Sequence, residues 1–79
     1  MNQEMLSGLK EVLTMVKPSA NLDNLTEQTL LLEDLGLDSL TLMLMSLGVE
    51  NKFGIRFTGK ESLRTLGDVM CSINEKLGN

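Results

Sequence analysis

Met5, Leu6, Leu9, Val12, Leu13 and Val16 recur at helical spacing, with Glu4, Lys10 and Glu11 on the other side. This predicts a first helix that buries one stripe. Pro18 ends it, because the residue ahead of a proline is pushed out of helical geometry. From Pro18 to Asp38 no period holds. Ser19, Asn21, Asp23 and Asn24 favour turns, while Leu22, Leu25, Leu30, Leu31, Leu32 and Leu35 need burial. We expect a long ordered first loop pinned to the core by its leucines.

Asp38 is placed to cap a second helix from Ser39 to about Asn51, its carboxylate accepting from the free N–H groups of the first turn. Gly36 permits the sharp turn before it. Thr65 and Asp68 have the spacing of a capping box for a last helix. Its stripe is Leu66, Val69, Met70, Ile73 and Leu77, and Gly78 stops it. A short helical turn around Gly59 to Leu63 would make a fourth element. The expected fold is all-α, a small three- to four-helix bundle forming a single domain over residues 1–79.

The second helix has an unusual pattern. At about 100° per residue, Leu40, Met43, Leu44 and Leu47 line one face while Leu42, Met45, Val49 and Phe53 line the opposite one. Only narrow edges carry Thr41, Gly48 and Lys52, or Ser46 and Glu50. A helix apolar all round should be buried all round, and a bundle this small can hardly enclose one of its own helices. One face should therefore stay exposed for a partner or ligand, unless Leu30 to Leu35 fold over it.

Composition narrows the chemistry. The chain has 79 residues, no histidine and a single cysteine, Cys71. An internal disulfide and a cysteine-built zinc site are excluded, and the commonest general base is missing. These absences argue against an enzyme, and no metal is expected. No basic, greasy leader is visible, and the apolar run Leu40 to Val49 is too short to span a bilayer. A soluble cytoplasmic protein follows. The net charge is −4, with Asp23, Glu27, Glu33, Asp34, Asp38 and Glu50 lying between Pro18 and Asn51 without a Lys or Arg. Lys52, Arg56, Lys60 and Arg64 follow. Such an acidic region repels nucleic acid and attracts basic protein surfaces, although a solvated acidic loop has the same composition.

Ser39 could serve as a nucleophile, a helix-start residue or an attachment point. No histidine is present to activate it, and an ordinary helix start is the bland reading. Its surroundings favour the third role. "EDLGLDSL" after an acidic loop, followed by a helix ending "ENKFGI" and by "TLGDVMCSI", closely resembles the acyl carrier protein family over nearly the whole chain. The resemblance implies that Ser39 bears 4′-phosphopantetheine, derived from coenzyme A, with Asp38 and Leu40 completing the attachment motif. It implies a carrier of acyl intermediates as thioesters in fatty acid, polyketide or specialised lipid biosynthesis. A carrier of aminoacyl or peptidyl groups is the near alternative, and a helical interaction module without a prosthetic group the distant one.

The implied partners are a phosphopantetheinyl transferase, an acyl ligase or acyltransferase, and a ketosynthase or other dedicated enzyme acting on a monomer. They would dock on Asp34, Asp38, Leu40, Met43, Leu44, Leu47 and Glu50. Leu42, Met45, Val49, Phe53, Val69 and Met70 would form the core and shelter an acyl chain, methionine lending adaptability. The chain departs from the family pattern at the docking helix. Thr41 and Leu44 stand where acids are common, and Asn51-Lys52 interrupt the usual acidic run after Glu50. The segment from Phe53 to Leu66 is about two residues short and carries Arg56, Lys60 and Arg64. A specialised carrier with a more hydrophobic interface is the expectation.

Overall fold

The stripe read from the first sixteen residues becomes the inner face of α1 (Gln3–Val16) in the computed structural model, which describes residues 3–78. Met5, Leu6, Leu9, Val12 and Leu13 are buried and Val16 is half-buried. Lys17 donates its N–H to Leu13 O at 2.8 Å, and Pro18 turns the chain away. α1 runs antiparallel to α2 (Ser39–Phe53): Gly8 lies beside Phe53, Val12 beside Gly48, and Lys17 beside Gly36 just ahead of α2.

The inner face of α2 is the expected one. Met45 and Val49 are fully buried, and Leu42 and Phe53 pack against the core. Phe53 extends the helix by two residues beyond the expected end. Gly54 then closes it in the left-handed region, at φ +70, with its N–H donating to Glu50 O.

The long loop before α2 is held by most of its leucines. Leu31, Leu35 and Leu37 are buried, and Leu22 and Leu25 pack against the core, but Leu30 is only half-buried and Leu32 is exposed. The backbone supplies the rest of the order. Leu31 N–H donates to Arg64 O, Leu66 N–H to Thr29 O, and Gly67 N–H to Glu27 O, each at 2.9 Å. An isolated antiparallel bridge pairs Leu30 with Thr65 within this seam. A Cβ on Gly67 would meet Glu27 O at 2.9 Å, so only glycine lets the two strands of chain come this close.

α3 (Leu66–Lys76) starts at the predicted capping box: Asp68 N–H donates to Thr65 Oγ1, and Thr65 N–H donates to Asp68 Oδ2, both at 3.1 Å. Leu66, Val69, Met70 and Ile73 are buried. Leu77, expected on that stripe, instead lies beyond the last helical residue and is exposed.

The fourth helical turn does not form. Between Gly59 and Leu63 the chain is irregular. The Glu61 carboxylate takes the N–H groups of Thr58 and Gly59 at 3.0–3.1 Å and pairs with Lys76 at 2.6 Å. Side-chain acceptors that capture local amides compete directly with helix formation. Lys76 in turn stands 5.7 Å from the centre of the Phe57 ring, which fastens this segment to the end of α3.

Candidate functional site

The pole at which α2 begins is built from four consecutive residues. Gly36 takes φ +69, a conformation side chains resist. Leu37 is buried, so the chain is anchored one residue before the cap, and its N–H donates to Leu31 O at 3.0 Å. Asp38 is the cap, in extended geometry. Ser39 is the first helical residue, and it is exposed.

The cap is reciprocal. Thr41 N–H donates to Asp38 Oδ1 at 2.8 Å, while Asp38 N–H donates to Thr41 Oγ1 at 2.7 Å. The Thr41 hydroxyl also donates to Asp38 Oδ1 at 2.8 Å. These bonds hold the Asp38 carboxyl below the usual carboxylate range, the Thr41 amide contributing most and the Thr41 hydroxyl next. The positive charge of Lys17 acts in the same direction more weakly. Asp38 is therefore an ionised, acceptor-only cap at neutral pH. Thr41 is a residue whose role the sequence reading missed. Threonine at this position is polar without announcing that it reaches back to the cap.

Ser39 has no histidine to activate it, since the chain contains none. Its hydroxyl sits instead where the amides of a helix start and the aligned peptide dipoles favour a bound anion. That suits a residue esterified by a phosphate group better than a nucleophile that must be deprotonated within the same chain.

Two surfaces meet at Ser39. Along α2, Leu40, Met43, Leu44 and Leu47 are between 42% and 63% exposed, and Leu32 does not cover them. Between α1 and α2 lies an open groove of about 990 Å³, lined by Val12, Met15, Val16, Leu44 and Gly48 with Lys10 and Lys52 at its rim. Met15 is 83% exposed and continues the apolar surface onto α1, which α1's own pattern gave no reason to expect. On the other side, a smaller cleft of about 340 Å³ is bounded by Ser39, Leu42, Met43, Ser46, Glu61 and Leu63.

The acidic members of the expected docking set are arranged differently from one another. Asp34 and Asp38 are exposed at the pole, although Asp34 Oδ2 also accepts from Leu30 N–H at 2.8 Å. Glu50 is turned away from the apolar face. Its side chain is 13% exposed, its carboxylate accepts from Phe57 N–H at 2.7 Å, and Arg56 lies 3.7 Å from it. The structure thus places Glu50 as a clamp on the segment after α2, engaged from within the chain. Val69 and Met70 belong with Met45 and Val49 to one buried cluster, and Leu42 and Phe53 pack half-buried against it. Cys71 is exposed, and Glu75 raises its thiol above the usual range, so it is a poor nucleophile.

Comparison with known proteins agrees with this geometry. Residues 8–70 match the family described as a phosphopantetheine attachment site. An acyl carrier protein of Thermotoga maritima is 32% identical over 78 residues, covering 96% of this chain and 95% of the relative. This chain belongs to the acyl carrier protein family. An acyl carrier protein of Kineococcus radiotolerans has the same identity and coverage, and a meromycolate extension acyl carrier protein of Mycolicibacterium aurum is 31% identical, covering 92% of this chain and 76% of its own. The prosthetic group of the carrier is covalent 4′-phosphopantetheine, and the chemistry on its cargo belongs to other enzymes. Among the described residues, no helix is long and apolar enough to cross a membrane.

Proposed function

We propose that this chain is a single-domain, monomeric, cytoplasmic carrier that holds acyl intermediates as thioesters on a phosphopantetheine arm esterified to Ser39. The observation that carries the assignment is the exposed Ser39 at the first turn of a reciprocally capped helix, with Asp38 and Leu40 flanking it. A phosphopantetheinyl transferase installs the arm, and an acyl ligase or acyltransferase, then a ketosynthase or another dedicated enzyme, visit it in turn. The names of the relatives support acyl over aminoacyl cargo and lipid biosynthesis as the setting.

Partners dock on the apolar face of α2, formed by Leu40, Met43, Leu44 and Leu47, with Asp34 and Asp38 supplying negative charge at the Ser39 end. Contiguous apolar surface of this kind marks an interaction site on a small protein. The core cluster of Met45, Val49, Val69 and Met70, with Leu42 and Phe53 half-buried against it, lies behind that face and is the place for an acyl chain to shelter.

Intact-mass measurement tests the assignment. Incubation with coenzyme A and a broad-specificity phosphopantetheinyl transferase adds a single phosphopantetheine to the wild type and none to Ser39→Ala. Addition to Ser39→Ala would move the site, and no addition with several transferases would leave only an interaction module.

A further inference from the structure

Gly36, three residues before Ser39, is held by a residue nineteen positions away. Lys17 Nζ donates to Gly36 O at 2.6 Å, crossing from the end of α1 to the turn ahead of α2. The position suits a cation, because the carbonyl end of a helix carries partial negative charge. Gly36 is also the residue that admits it. A Cβ there would stand 3.0 Å from Lys17 Nζ, in addition to the strain any side chain meets at φ +69.

The three residues leading to Ser39 are thus fixed by three unrelated means. Gly36 is tied by Lys17, Leu37 by burial in the core, and Asp38 by Thr41. The second and third are local or apolar. Lys17 is the tie that joins this turn to α1 and brings a charge with it. We propose that Lys17 is a positioning residue of the attachment site, clasping the turn that presents Ser39 and holding a positive charge beside Asp38.

This rests on Ser39 being the acceptor. In attachment, the Ser39 oxygen forms a new ester bond to the phosphorus of the pantetheine phosphate in coenzyme A. The anhydride bond to the second phosphate breaks, adenosine 3′,5′-bisphosphate leaves, and the hydroxyl proton passes to a base on the transferase. The product places a new negative charge on Ser39, one residue from the Asp38 carboxylate. A fixed ammonium offsets that repulsion, and a fixed turn keeps the hydroxyl aimed during transfer.

The test uses full-length Lys17→Met, which keeps an unbranched apolar stem one atom shorter and removes the charge and donors. With a broad transferase, we expect kcat for arm attachment to fall about fivefold to tenfold with KM little changed, and Lys17→Arg to restore most of it. In the protein without its arm, amide hydrogen exchange at Leu37 and Thr41 should quicken in Lys17→Met and return in Lys17→Arg. Unchanged kcat in Lys17→Met, or a loss confined to KM, overturns the proposal, the latter by making Lys17 a contact for the transferase. If the wild type accepts no arm, the reading of Ser39 fails instead. The exchange rates still judge the clasp, and unaltered exchange rules it out.

Discussion

Replacing Gly48 by alanine sets two well-measured effects against each other. In an open helix the change stabilises by about 1 kcal/mol, since glycine is the poorer helix former. Here the new Cβ would lie 2.8 Å from Val12 Cγ1, closer than such atoms approach. Val12 is buried, and a β-branched side chain in a helix has essentially one χ1 setting, so it cannot swing aside. α1 and α2 must separate, and overpacking of this kind costs about 1–3 kcal/mol. We therefore expect Gly48→Ala to destabilise by about 1 kcal/mol net, lowering the midpoint of thermal unfolding by about 4–8 °C in a domain of this size. Val12→Ala alone should cost about 2 kcal/mol through lost burial and cavity. In the double variant the obstruction is gone, so alanine at 48 changes sign and stabilises. Urea unfolding of the four proteins, with slopes checked for constancy, yields the coupling energy. If Gly48→Ala stabilises the otherwise native protein, or the two changes simply add, the close approach of the helices at Gly48 is refuted.

Other expectations concern the cap, the acid limb and the docking face. Thr41→Ala removes the acceptor for Asp38 N–H and should cost about 1 kcal/mol in urea unfolding, whereas Thr41→Glu, the usual reciprocal residue at this position, should retain most of the stability. Folding lowers the Glu61 pKa from 4.5 to about 2, the Lys76 ammonium contributing most and the Thr58 amide next. Its stabilising effect is therefore full above pH 4.5 and lost as pH falls towards about 2, and Glu61→Gln should flatten the urea midpoint across that window. Asp38 and Asp68, also lowered, would keep some acid dependence in the variant. Leu44→Glu lies on an exposed position and should leave stability little changed, yet weaken acyl transfer from the cognate partner and improve use by ordinary fatty acid enzymes. Identical kinetics with both sets of enzymes would discard the apolar docking face.

Elements with a single buried stripe were legible in the sequence, apart from the end of α3, where Leu77 falls outside the helix and is exposed. α1 and α3 announce themselves by period, and Pro18 and the Thr65–Asp68 pair mark ends that depend only on local chemistry. The two faces of α2 were separable from spacing alone, because burial follows the helical angle once one side is known to face a core. Local pattern fails where a partner is distant in sequence. The seam between residues 27–31 and 64–67 consists of backbone bonds, and backbone groups leave no mark on residue choice except at Gly67. Lys17 belongs to the same class, since a lysine after a helix is common and nothing in one dimension says that it reaches Gly36. Glu50 reads in the sequence as a docking acid, and nothing in one dimension marks Glu61. The structure gives their carboxylates to backbone amides at Phe57, Thr58 and Gly59, which is also why Gly59 to Leu63 does not coil.

A helix apolar on two sides carries no instruction about which side belongs inside. Turning α2 by half a revolution would trade Met45 and Val49 for Leu44 and Leu47 at little cost in hydrophobic burial. The rotational setting must therefore come from elsewhere. Gly48 is the point where α1 can come close, Gly8 makes room for the Phe53 ring, and Asp38 and Gly54 fix the two ends. The most hydrophobic helix of the carrier is oriented by its smallest and most polar positions. Enlarging them would change which surface the carrier presents to the enzymes that visit it.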